Sequence, residues 1–267
     1  MDEVFLNIDN HLMLFLFFVA ICAGVVDAIA GGGGLISIPS LLIAGVPPVL
    51  ALGTNRLQAV IGETTAFITF LLHQQIQIKG LFTGIIFTAV GALIGSYSVS
   101  LFDKQMLETL LPILMLCITF YAIFSKRLSQ PSGYEAKLST QSFMTYCGLL
   151  IGFYNGFFGP GTGSIWMLAL VILLGFTIKQ ASIMTKPLNL TGNFISLLFF
   201  IAIGSVDYRL GLIMGAGQII GAYVGSKLVI FKGDKIVRPI FIVVTLLITS
   251  KLLFENVPFN NLAVLIS

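Results

Sequence analysis

The chain is 267 residues long, 57% hydrophobic and only 9% charged, with a mean hydropathy of +1.03. Soluble domains carry about 25% charged residues, and eleven acids with fourteen bases cannot cover a globule of this size. A soluble enzyme, a nucleic-acid binder and a disordered chain are excluded, and the net charge of +3 singles out no partner, so lipid is the solvent for most of the surface.

A helix needs about 20 apolar residues to cross the hydrocarbon. The first apolar run, Leu12–Ala30, follows Asp2, Glu3 and Asp9 with no base, the wrong flank for a cleaved signal, and is expected to be retained. It ends at Gly31-Gly32-Gly33-Gly34. A short run, Leu35–Ala44, stops before Val46-Pro47-Pro48, and Leu57–Leu72 follows with Leu50–Asn55 as its lead-in. Leu81–Leu101 and Leu107–Phe124 complete the first half. The polar segment 126–140, with Lys126, Arg127 and Lys137, reads as a cytoplasmic linker between units 1–125 and 141–267. The second half repeats the order: Phe143–Phe158, a knot at Gly159-Pro160-Gly161-Thr162-Gly163, a short run Ile165–Gly175, then Ala181–Gly204, Leu210–Phe231 and Pro239–Phe254.

The two halves are in register. Gly24, Asp27, Gly31 and Gly33 recur 128 positions later as Gly152, Asn155, Gly159 and Gly161. After a two-residue slip, Gly45, Arg56, Gly62, Gly91, Gly95 and Ser96 match Gly175, Lys186, Gly192, Gly221, Gly225 and Ser226. The expected fold is therefore an all-α polytopic membrane protein of two homologous repeats, each a glycine-broken helix pair followed by three transmembrane helices. Lys126, Arg127 and Lys137, and Lys227, Lys232, Lys235 and Arg238, should be cytoplasmic. One cluster follows the last span of its half and the other precedes it, so the repeats are expected to be inverted. Single bases at Lys79, Lys104 and Arg209 run against the rule, and a parallel repeat stays open if the knot-flanking runs do not both cross.

Two successive breaks at matching positions, each beside a polar residue (Asp27, Asn155), are the strongest functional signal. Each glycine costs about 1 kcal/mol against Ala in a helix, and unwound backbone survives in a membrane only inside protein or beside a watery cavity. The helix N-termini after the knots, at Gly32, Gly33, Gly34 and at Gly161, Thr162, Gly163, offer free N–H groups to an anion. No Gly-Lys-Ser/Thr follows, so a nucleotide loop is rejected. Thr54-Asn55-Arg56-Leu57-Gln58 and its counterpart Thr185-Lys186-Pro187-Leu188-Asn189, with Asn193 where the first half has Glu63, place a cation in each half. Arg56, Lys186, Thr54, Asn55, Gln58, Asn189 and Asn193 are the expected anion-binding set. Asp27 and Glu63 are the expected balancing or proton-coupling acids. The competing reading of Arg56 and Lys186 is snorkelling from helix starts to headgroups; that of Glu63 is a structural pair with Arg56, seven residues away. Pro187 is expected to disturb a helix start. Trp166 reads as lipid- or core-facing, Cys22, Cys117 and Cys147 as small buried hydrophobes, His11 and His73 as interfacial, and Gln218 as a cross-helix or cavity group. No metal or cofactor motif is present.

The motifs at Gly24–Pro39, Ala51–Gln58, Gly152–Gly161 and Thr185–Asn189 together resemble the sulfite exporter TauE/SafE family, nearest its YfcA-like bacterial inner-membrane members, over Leu12 to Phe254. The resemblance implies a multi-pass permease, often given eight spans from a duplicated unit, for sulfite, sulfonates or other organosulfur anions. The eight spans agree with ten runs only if the knot-flanking runs form re-entrant hairpins. Arg56 stands where Lys is frequent, and Pro187 interrupts the second motif. The expected function is a secondary transporter of a small anion, working by alternating access and not as an enzyme. An anion channel and a non-transporting accessory protein are the alternatives. The expected partners are the anion and membrane lipid, with a proton or sodium as coupling ion and a homodimer left open.

Overall fold

A computed structural model describes residues 10–73, 75–76, 81–99, 101, 137–233, 235–236 and 239. The expected span Leu107–Phe124, the last span beyond Pro239, all of the linker but residues 137–140, and Cys117 lie outside the described residues. The described residues form helices α1 (Asn10–Ala30), α2 (Gly34–Ile43), α3 (Pro48–Leu72), α4 (Leu81–Val99), α5 (Thr140–Phe157), α6 (Thr162–Leu174), α7 (Ile178–Ala202) and α8 (Tyr208–Lys232), with no strand among them. Both glycine knots fall between helices, as expected, at α1/α2 and α5/α6.

Two expected boundaries are corrected. The lead-in Leu50–Asn55 is already helical, since α3 starts at Pro48. The second is the start of α7, set by a reciprocal cap in which the Thr177 hydroxyl accepts from Gln180 N and the Gln180 side chain accepts from Thr177 N. Arg56 and Lys186 are therefore each eight residues inside a 25-residue helix, about 12 Å along the axis. Headgroup snorkelling from a helix start does not describe them. Pro187 likewise sits inside α7, not at its start.

Close helix contacts fix the running directions. Gly91 of α4 meets Leu149 and Phe153 of α5, and Gly95 meets Phe153 and Phe157, so α4 and α5 are parallel. Gly217, Gly221 and Gly225 of α8 meet Phe17, Ile21 and Val25 of α1 in the same sense. Gly211 and Gly215 set α8 parallel to α3 through Leu57 and Ile61, and Leu188 and Ser196 of α7 follow Gly84 and Ser96 of α4. By contrast, Gly53 of α3 meets Ser205 just past α7, while Glu63 meets Asn189, so α3 and α7 cross antiparallel. Helices α1, α3 and α8 thus run one way, and α4, α5 and α7 the other.

Because α1 and α3 are parallel, α2 must carry the chain back. Its ten residues span about 15 Å, half a bilayer core. Met13 of α1, Leu41 and Val46 at the end of α2, Ala51 of α3 and Leu210 of α8 share one buried cluster, so the α1–α2 hairpin begins and ends at one face. Lys137 N donates to Leu173 O, 2.9 Å, so the α5–α6 hairpin begins and ends at the opposite face. In both knot-flanking pairs a longer helix is followed by a shorter one that returns along the bundle.

Burial is inverted relative to a soluble protein. Leu14, Phe18, Phe82, Leu93 and Phe231 are exposed, whereas Arg56, Glu63, Lys186, Asn155, Asn189, Asn193 and Gln218 are buried. Helices α1, α4 and α8 are long and apolar enough to cross a membrane; α3 and α7 carry the polar residues inward. Cys22 is exposed, not buried as expected, while Cys147 is half-buried and packs against the apolar core.

The glycine stripes hold α4 to α5 with no room for a side chain. A Cβ at Gly91 would lie 2.7 Å from Phe153 N, and one at Gly152 2.8 Å from Thr88 Cα. Gly91→Ala and Gly152→Ala should each cost about 1–3 kcal/mol as overpacking, read as a lowered unfolding midpoint in detergent; an unchanged midpoint in both would contradict this packing.

Candidate functional site

The two knots touch. Gly31 lies backbone to backbone against Gly163, and Ser164 of the second knot bonds the first, its N to Gly31 O at 3.2 Å and its Oγ to Ala30 O at 2.8 Å. Gly31 and Gly161 hold φ of 71° and 77°, a left-handed turn that glycine adopts without strain. Ser182 Oγ of α7 adds a bond to Ile29 O, 2.8 Å, satisfying another carbonyl of the unwound turn.

Each cation reaches across to the other half. Arg56 of α3 donates from Nη1 to Asn155 Oδ1, 2.9 Å, and from Nη2 to the Asn155 carbonyl. Lys186 of α7 donates to the Asp27 carbonyl and lies 3.6 Å from Asp27 Oδ2. Asp27 and Asn155 are the matching residues of the two knots, so the clamps are reciprocal. Both cations are almost completely buried, at 1% and 0% exposure.

Glu63 makes no direct pair with Arg56. Its Oε1 accepts from Asn189 Nδ2 and its Oε2 from Asn193 Nδ2, the latter at 3.0 Å. Asn193 Oδ1 in turn accepts from Arg56 Nη1 at 2.6 Å, and Asn189 Oδ1 accepts from Asn155 Nδ2 at 3.0 Å. The result is a closed ring, Arg56–Asn155–Asn189–Glu63–Asn193, joining α3, α5 and α7. Every bond donates in the direction from guanidinium to carboxylate. A buried ion pair separated by fully satisfied amides retains partners for both charges.

The other expected residues divide. Gly33 N donates to Asp27 Oδ1 at 3.1 Å, so the start of α2 is already occupied by a carboxylate. Asn55 Oδ1 accepts from Ser37 Oγ, 2.6 Å, and Gln58 Nε2, 2.9 Å, beside Gly34. Thr162 Oγ1 turns to Gly159 O, and Gly159 lies against the Arg56 guanidinium. Gly32 is buried in the first knot, where its carbonyl accepts from Leu35 N. Thr54 makes none of the ring's bonds: its hydroxyl accepts from Asp207 N, 2.9 Å, at the N-cap of α8. Trp166 packs on Phe143 in the apolar core. Gln218 is wedged between Gly24 and Gly62. Asn155 is the member of this ring that the expected binding set omits; its match to Asp27 at the knot was the available signal. Arg56 Nε, buried, has no hydrogen-bond partner among the described residues.

A family model described as sulfite exporter TauE/SafE matches residues 16–252. A Haemophilus influenzae protein named "Probable membrane transporter protein" is 38% identical over 255 residues, covering 94% of this chain and 98% of its own length. "Probable membrane transporter protein YfcA" of Escherichia coli K12 is 40% identical over 241 residues, covering 90% and 89%, and the Sinorhizobium protein ORF9, also named a probable membrane transporter, is 37% identical over 245. No solved structure matches. The protein is a membrane transporter.

The ring makes its asparagines interdependent. Asn189→Ala and Asn193→Ala should each cost about 1–3 kcal/mol, the penalty of an unsatisfied buried charge partner. Their double variant should depart from additivity by at least about 0.5 kcal/mol, measured by unfolding in detergent; strictly additive losses would deny the ring.

Proposed function

The chain belongs to the sulfite exporter TauE/SafE family, and from that premise we propose that it is a secondary transporter moving a small anion, a sulfite, sulfonate or related organosulfur anion, across the bacterial inner membrane by alternating access. One observation carries the reading: two unwound glycine turns abut deep inside the helix bundle, each clamped by a buried cation from the opposite half. Such breaks persist in lipid where they line a substrate path, and buried cations in a membrane protein mark such paths. In this reading Arg56 and Lys186 exchange their internal acceptors for the anion. Their burial supports a carrier with an occluded state over an open channel.

The antiparallel crossing of α3 and α7, and the opposite faces of the two knot-flanking hairpins, support an inverted duplication. Rocking of one half against the other would then open the centre to each side in turn. Lys137, Lys179, Lys227 and Lys232 gather at the end where α3 and α8 finish, against Arg209 at the other, which favours that end as cytoplasmic.

Arg56→Gln and Lys186→Gln should each weaken anion binding by about 10- to 100-fold, the scale of a lost charge-assisted contact. The check is counterflow of radiolabelled sulfite, isethionate and methanesulfonate in proteoliposomes; unaltered flux in the double variant would remove the site. For orientation, a cysteine at position 209 should label with an impermeant maleimide from outside intact cells and one at 232 should not; the reverse pattern would invert the topology.

A further inference from the structure

The hydrogen-bond ring ties the charge of Glu63 to the availability of Arg56. Resting on the transport reading above, we propose that Glu63 is the site of a co-transported proton, and that Asn155, Asn189 and Asn193 relay its protonation to Arg56, making the protein a symporter of one proton with one monovalent anion.

The argument is one of donor and acceptor counting. Both Glu63 oxygens accept from amide nitrogens in the ring, from Asn189 Nδ2 and from Asn193 Nδ2. That arrangement suits a carboxylate, which has acceptors only. A carboxylic acid has one O–H to donate, and the groups facing its two oxygens are these two amides. One of them must turn its oxygen to Glu63. If Asn193 turns, its Nδ2 faces Arg56 Nη1, donor against donor. If Asn189 turns, its Nδ2 faces Asn155 Nδ2; Asn155 must then turn too, and its Nδ2 faces Arg56 Nη1. Either arm removes one of the two side-chain acceptors of Nη1. Arg56 Nε already lacks a partner, so protonation leaves the guanidinium with two N–H positions open to an oxyanion. A buried donor left unsatisfied costs about 1–3 kcal/mol, more for a charged group, and the incoming anion relieves that cost.

The charges point the same way. The other ionisable groups facing this centre are Asp27 of α1, Lys186 of α7 and Tyr154 of α5. Helix α8 contributes the neutral Gln218 beside Gly62, and its Lys227 is engaged with His73 near the membrane edge. Asp27 and Lys186 balance each other. With Glu63 ionised, it balances Arg56. With Glu63 protonated, Arg56 is a lone buried cation, an expensive state in lipid. A monovalent anion restores neutrality, so proton and anion favour each other's binding by the same factor. The proton enters from water on the side to which the centre is open and leaves on the other, with no bond made or broken in the anion.

The test uses the full-length protein in proteoliposomes with the same three probes. In wild type, an acid exterior should drive accumulation of a transported probe inside by up to about tenfold per unit of pH difference, the limit for one proton per anion. Glu63→Gln, which cannot take the proton, should lose that pH-driven accumulation; the probe's own titration is common to both proteins and cancels. Asn193→Leu, which cuts the shorter arm, should lower the coupling ratio. If Glu63→Gln does not fold, the wild-type pH drive and the Asn193→Leu ratio still decide. Wild-type flux that ignores the pH difference, or pH drive intact in Glu63→Gln, would overturn the proton proposal while leaving anion transport standing. No flux of any probe would overturn the transport reading and this one with it.

Discussion

An ammonium or guanidinium deep in a lipid-facing bundle must find acceptors, because the cost of leaving it unpaired is several kcal/mol. In this protein neither cation finds them within its own half. Arg56 takes the side chain and carbonyl of Asn155, and Lys186 takes those of Asp27. Both acceptors lie in the last helical turn before a glycine knot, Asp27 in α1 and Asn155 in α5, where carbonyls run short of intrahelical donors. Two kinds of unsatisfied group therefore neutralise each other across the interface of the two halves. The rest of the architecture serves this exchange: the turns must come to the middle, and the helices bearing the cations must cross there.

Glycine makes the crossing possible in two distinct ways. At Gly31 and Gly163 it lets two backbones touch, so that Ser164 can bond into the opposite knot. Along α4–α5 and α1–α8 it lets helices approach until side chains would collide with carbonyls, packing that compensates for the missing hydrophobic drive between helices in lipid. The first use shapes the centre. The second holds its walls without filling space with bulky residues, leaving the wide apolar side chains such as Phe18 and Phe82 on the outside.

Much of this was legible in the residues. The glycine knots, the paired cations and the buried acid stood out because each violates what a plain membrane helix tolerates. The register between halves predicted which residues would correspond, and the two clamps are built from corresponding residues, Arg56 on Asn155 and Lys186 on Asp27. What escaped was everything set by distant partners. Leu50–Asn55 read as the lead-in to a span, yet it is helical, with the Thr54 and Asn55 side chains engaged by Asp207, Ser37 and Gln58. Pro187 read as disturbing a helix start, but the cap at Thr177 had already begun the helix. Asn155 was seen as a marker of the knot and not as a member of the binding set, since nothing local shows that Arg56, 99 positions earlier, bonds it. Cys22 looks core-like in any hydropathy window, which cannot separate a helix face toward lipid from one toward protein.

The departure from symmetry is as informative as the symmetry. If the halves were identical in chemistry, each cation would meet the same acceptor. Instead Lys186 meets a carboxylate and Arg56 meets an amide, with the second acid placed one residue further round the ring at Glu63. A cation paired directly with its own carboxylate gives up that partner at greater cost, because the incumbent is covalently held and already desolvated. A cation balanced at one remove, through amides that have two orientations, can be released without breaking an ion pair. The replacement of Asp27 by Asn155 at the matching position is therefore the change that separates the two half-sites in role. In the proposed transport cycle it makes the Lys186 side the more tightly held of the two and the Arg56 side the readier to exchange its acceptors.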